Sequence, residues 1–123
     1  CSLAVAGDGP EREKLRTRAS ALGLERRVAF LGFRRDVPLV LRSLDAFVHV
    51  SLREGIPLAL LEAMASGLPV IASRRGGIVE VFGEERIGAL VDPESPDSIA
   101  RAMKSLLETA PEERAAMGRR ARA

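Results

Sequence analysis

The sequence has no tryptophan, no tyrosine, four phenylalanines, one cysteine and one histidine among 123 residues. Without aromatic interleaving, its basic residues lack the stacking platforms that single-stranded nucleic acid binders use. A single cysteine excludes an internal disulfide framework and fits a reducing compartment. One histidine and one cysteine leave no plausible zinc cluster, and they support no Ser/His/Asp set. No uncharged run approaches the roughly 20 apolar residues of a membrane-spanning helix. No signal-peptide pattern opens the chain, because the short apolar run at 1–6 meets Asp8 at once.

Hydrophobic residues make up 46% and charged residues 29%, a globular balance. Surface scaling lets a chain of this mass bury about two thirds of its unfolded surface, enough for one core. We see no linker or repeat, so one domain over residues 1–123 is expected. The formal net charge is +2. Arg12, Lys14, Arg16 and Arg18 read as a solvated helix face. Arg114, Arg119, Arg120 and Arg122 read as an exposed helix end, with anionic-lipid or nucleic-acid contact as the minor reading.

Short apolar runs alternate with amphipathic ones. Strands are expected at 2–6, 28–31, 46–50, 70–72 and 89–91, the first of them buried. Helices are expected at 11–22, 37–43, 57–66, 78–82, 96–109 and 112–121. Pro10, Pro57 and Pro111 suit first helical positions, and Gly23 and Gly67 suit helix stops. Leu15, Ala19 and Leu22 share one face of the first helix. Ser95 or Asp97 caps the fifth. Strands alternating with helices imply βαβ units, hence a Rossmann-like parallel sheet with helices on both faces. In such sheets ligands bind beyond the carboxyl ends of the strands. That directs attention to loops 7–10, 32–36, 51–57, 73–77 and 92–95.

From Pro57 to Ala65 every residue is apolar except Glu62. A helix apolar all round is expected to be buried, where a lone carboxylate needs donors. A ligand diol such as a ribose would supply two; a salt bridge to Arg53, Arg74 or Arg75 is the plainer alternative. Glu54 stands just before Gly55, whose freedom lets backbone approach a ligand. Pro57 has no N–H, but Leu58, Ala59 and Leu60 offer theirs at the helix start. With the helix dipole, they form an anion site suited to a diphosphate. An ordinary helix start is the alternative. Gly7-Asp8-Gly9-Pro10 follows a strand, but the third glycine of a dinucleotide fingerprint is missing, so a tight turn is the better reading. Gly76-Gly77 marks another turn where an anion or sugar could be met. His49 reads as a strand histidine.

Glu54 and Glu62 lie within Ser51-x-x-Glu54-Gly55-x-Pro57-x-x-x-x-Glu62-Ala63-Met64-Ala65-x-Gly67-x-Pro69-Val70-Ile71-Ala72-Ser73. This run resembles the donor-binding motif of retaining glycosyltransferases of the GT-B fold, the family 4 type. The segments at 3–10, 28–32, 76–80 and 90–93 resemble that family in the expected order. The resemblance covers essentially the whole chain.

It implies a nucleotide-sugar donor domain that transfers a sugar with retention and without a metal, the donor being linked to UDP, GDP or ADP. By match to the motif, Glu62 would hold the ribose hydroxyls and Glu54 would hydrogen-bond the donor sugar as the catalytic residue. Gly55, Ile56, Pro57 and Leu58 would line the sugar and diphosphate. Gly32, Phe33 and Arg34 would lie near the nucleobase. The resemblance also implies a cytoplasmic enzyme with a separate acceptor domain and leaves peripheral membrane association open. The family's donor domain usually opens with a strand-Gly-Arg segment followed by Lys, and this chain starts after it. A fragment is therefore expected, its parallel sheet lacking the central strand between 2–6 and 46–50, with apolar edges exposed. By itself it should not transfer sugar. A non-catalytic nucleotide-binding module and a structural α/β domain are the competing readings.

Overall fold

A computed structural model describes residues 1–53 and 55–123. Eleven elements follow one another among the described residues: β1 (Leu3–Ala6), α1 (Arg12–Ala21), β2 (Val28–Gly32), α2 (Val37–Arg42), β3 (Phe47–His49), α3 (Leu58–Ala65), β4 (Val70–Ser73), α4 (Gly76–Phe82), β5 (Gly88–Val91), α5 (Pro96–Glu108) and α6 (Pro111–Arg122). All strand pairings are parallel, as βαβ alternation requires. The strands form two sheets, β1-β2 and β3-β4-β5. The chain divides into two compact units, Cys1–Val37 and Pro38–Ala123.

In the first unit Leu3 pairs with Val28 and Val5 with Phe30. The sequence-based expectation of a buried first strand fails. Three of the four β1 residues are exposed, and none is fully buried. The physical reason lies in α1, which is polar along most of its length and buries no residue. Leu15 and Leu22 of its expected apolar face stand exposed, Leu22 by 62%. α1 also starts later than expected, at Arg12, with Pro10 in the turn before it. Gly23 does end it, with φ +68 and its N–H bonded to the carbonyl of Ser20 at 2.9 Å.

The second unit holds the core. All four residues of β4 are buried. Successive strand side chains point to opposite faces, so both faces of β4 are covered. On one face Ile71 packs with Val91 and Leu106, joined by Val48, Ala89, Ile99, Met103 and Met117. Leu60 and Ala63 of α3 are completely buried. Ser95 caps α5: its hydroxyl accepts from the N–H of Ser98 at 3.1 Å, and Pro96 follows in the first turn. The basic tail is partly structural rather than a free helix end. Arg114 donates to the carbonyls of Leu107 and Thr109. Arg120 donates to the carbonyl of Arg86 and to Glu113.

Candidate functional site

β3 and β4 run parallel, so their carboxyl ends lie at one edge of the three-stranded sheet. The ladder stops at His49 opposite Ala72. One residue beyond Ala72, the buried hydroxyl of Ser73 accepts from the N–H of Ser51 at 2.7 Å and donates to its carbonyl at 2.8 Å. The loop from Ser51 leads into α3 through Gly55, Ile56 and Pro57. Pro57 is extended, with φ −72 and ψ 132, and forms the helix cap. Its carbonyl accepts from the N–H of Leu60 at 3.0 Å. Leu60 is thereby removed from the set of open donors. The N–H groups of Leu58 and Ala59 belong to the first turn, and among the described residues no carbonyl accepts from them. Among the described residues, no side-chain oxygen caps this helix start.

The sequence suggests a buried helix around Glu62, and the structure corrects this. Leu58 is 70% exposed, and Leu61, Glu62 and Ala65 are also exposed. Only the Leu60 and Ala63 side faces the core. Eight residues give about two turns, so one stripe packs while the opposite stripe faces outward whatever its polarity. Leu58 and Glu62 are four residues apart and share the outer face. The salt-bridge alternative for Glu62 also fails among the described residues. Arg75 pairs with Glu94 at 2.6 Å, and Arg74 donates to the carbonyl of Leu90 at 3.3 Å. Glu62 thus presents its carboxylate outward, on the face that begins with the open N–H of Leu58. Glu54, the expected catalytic residue, lies outside the described residues.

In the first unit the carboxyl ends of β1 and β2 meet. The N–H of Gly7 donates to the carbonyl of Gly32 at 2.8 Å. Gly32 is buried with φ +67, a conformation that favours glycine. Arg12 reaches back along this edge. Its guanidinium stands 3.6 Å from Asp8 and 3.6 Å from where a β-carbon on Gly32 would sit. Phe33 is exposed. Arg34 donates from Nε to Asp36 at 2.8 Å and from a second nitrogen to the other carboxylate oxygen. That two-point bond, reinforced by charge attraction, holds the Asp36 carboxyl below the usual carboxylate range and raises Arg34.

Gly55, Ile56, Pro57, Leu58 and Glu62 therefore belong to one loop-and-helix edge of the second unit. Gly32, Phe33 and Arg34 belong to one loop of the first. Sequence reasoning did not foresee the contacts of three residues that shape these edges: Arg12, Ser73 and Gly77. Ser73 had a signal, being the one polar residue to end an apolar strand opposite the motif loop. Gly77 had one in the Gly76-Gly77 pair, but its contact with Ile56, like the reach of Arg12 to Gly32, rests on neighbours distant in sequence.

A family model described as glycosyl transferases group 1 matches residues 1–123. The chain is 38% identical over 107 residues to the uncharacterized glycosyltransferase MJ1607 of Methanocaldococcus jannaschii, covering 85% of this chain and 27% of that protein. It is 37% identical over 100 residues to an Escherichia coli UDP-Gal:alpha-D-GlcNAc-diphosphoundecaprenol alpha-1,3-galactosyltransferase, covering 80% and 26%. The chain thus spans about a quarter of the length of these two relatives. Among solved structures it is similar to Anabaena HepE in complex with UDP and glucose. That match has a TM-score of 0.89 at 30% identity and covers 98% of this chain and 34% of that one.

Proposed function

The chain belongs to the glycosyl transferases group 1 family, and from that premise we propose that it is the donor-binding part of an enzyme that moves a sugar from a nucleoside diphosphate to an acceptor hydroxyl. The observation that carries this reading is the outer face of α3. Open N–H groups at Leu58 and Ala59 suit a diphosphate, and Glu62, one turn on, suits a ribose diol. Gly55, Ile56 and Pro57 bring backbone to that face. Gly32, Phe33 and Arg34 serve the base, and Glu54 serves the donor sugar. The acceptor is bound by another part of the protein.

Catalysis in this reading is electrostatic. Donors aimed at the leaving diphosphate stabilise charge that develops as the glycosidic bond breaks beside an oxocarbenium-like sugar. Configuration is retained, and this chain's own N–H groups, rather than a metal, meet the leaving charge. The HepE complexes with UDP, UDP-glucose and glucose make UDP the first nucleotide to try. The test titrates isotopically labelled protein with UDP, GDP and ADP and follows amide signals. Shifts confined to 55–62 and 32–35 are expected for one nucleotide. A well-dispersed spectrum that none of the three perturbs, from the full-length protein, would sink the reading.

A further inference from the structure

We propose that Ser73 is a positioning residue for the nucleotide donor, acting with Gly77 by setting the loop from Ser51 to Pro57; this rests on the donor-site reading above. Ser73 is itself anchored. Its main chain pairs with Val91 in β5, and its side chain is completely buried. Its hydroxyl spends both a donor and an acceptor on the backbone of one residue, Ser51. Ser51 lies just past the end of the β3–β4 ladder, where its N–H and carbonyl no longer face a strand partner. The hydroxyl thus extends the ladder by side chain and fixes where the loop leaves the sheet.

The far end of the loop meets the first turn of α4. A β-carbon on Gly77 would stand 2.9 Å from Cγ1 and 3.3 Å from Cδ1 of Ile56. Ile56, 49% exposed, thus lies over Gly77, where there is no side chain. Ile56 directly precedes Pro57, the cap of α3. The end of β4 and the start of α4 therefore meet the loop at its first residue and again just before α3. Neither Ser73 nor Gly77 need touch the nucleotide. Their effect passes through Gly55, Ile56 and Leu58. Small misplacements of such donors cost much of their benefit, since preorganised hydrogen bonds act only at the right distance.

The test uses the full-length protein and measures dissociation constants for UDP, GDP and ADP together with melting temperature. Wild type is measured first. If it binds none of the three, the donor reading fails, and this inference fails with it. For the nucleotide it does bind, Ser73→Ala is expected to raise the dissociation constant about tenfold, the scale of a lost buried hydrogen bond. Gly77→Ala is expected to move it in the same direction. Leu106→Ala, a cavity in the core on the α5 side, is the control. It should lower the melting temperature at least as much, yet leave the constant within about twofold of wild type, because it creates a void but keeps both hydrogen bonds between Ser73 and Ser51. An unchanged constant in Ser73→Ala overturns the proposal, as does an equal rise in Leu106→Ala. If Ser73→Ala does not fold, Ser73→Cys, which keeps the size but weakens both hydrogen bonds to Ser51, decides: a rise supports the proposal, and no change overturns it.

Discussion

Gly118 of α6 lies against the carbonyl oxygen of Gly67: a β-carbon on Gly118 would stand 1.8 Å from that oxygen. Gly67, with φ +78, is the left-handed turn that ends α3. The last helix thus holds the carboxyl-terminal end of the helix that carries Glu62. Gly118→Ala must push α6 outward, because backbone on both sides cannot yield as a flexible side chain would. A loss of about 1–3 kcal/mol is expected from such overpacking. Denaturant unfolding of wild type and variant gives the difference. A variant as stable as wild type would show that α6 does not need this approach.

Glu62 offers a test that separates binding from stability. The side chain is exposed on the outer face of α3. Glu62→Ala should therefore leave stability within about 0.5 kcal/mol. Nucleotide affinity should fall roughly 10- to 100-fold, the range for hydrogen bonds to a charged group. Calorimetry with UDP, alongside thermal unfolding, reads both. Unaltered affinity would remove Glu62 from the donor site.

The loop after β2 should carry a pH signature. Arg34 binds Asp36 at two points and holds its carboxyl below the ordinary value. A carboxylate depressed on folding stabilises the structure above its unfolded pKa of about 3.9, and that contribution disappears as pH falls through the folded value. The Asp36 side-chain carbon signal should therefore titrate below about 3.9 in wild type. In Arg34→Gln the midpoint should return towards that value. The same midpoint in both proteins would mean that the pair does not persist in solution.

Ser95 caps α5 through the N–H of Ser98. Ser95→Ala removes that acceptor and should cost about 1 kcal/mol, while Ser95→Asp should keep most of the stability. Equal stability of all three in urea unfolding would argue that water caps the helix as well as Ser95 does.

Much of the fold is legible in single residues. Gly23 and Gly67 stop helices where the sequence says they should, because left-handed backbone costs glycine little. Pro96 and Pro111 begin helices because a first-turn residue needs no N–H. Val70, Ile71 and Ala72 announce a strand covered on both faces, since only such a strand tolerates unbroken apolar character. The motif from Ser51 to Ser73 announces the family.

Tertiary structure decided the rest. Periodicity reports which residues share a face, but not whether anything covers that face. Leu15 and Leu22 share a face that nothing buries, and Leu58 and Leu61 point outward beside Glu62. Among the described strands only β4 is paired on both sides, and that too is a property of the assembled sheet. The clamp of Ser73 on Ser51, the fit of Ile56 over Gly77 and the approach of Gly118 to Gly67 join positions 21 to 51 residues apart. Local sequence carries propensity and pattern over a turn or a strand. Contacts at that separation exist only once parallel pairing has brought distant backbone within a few ångströms.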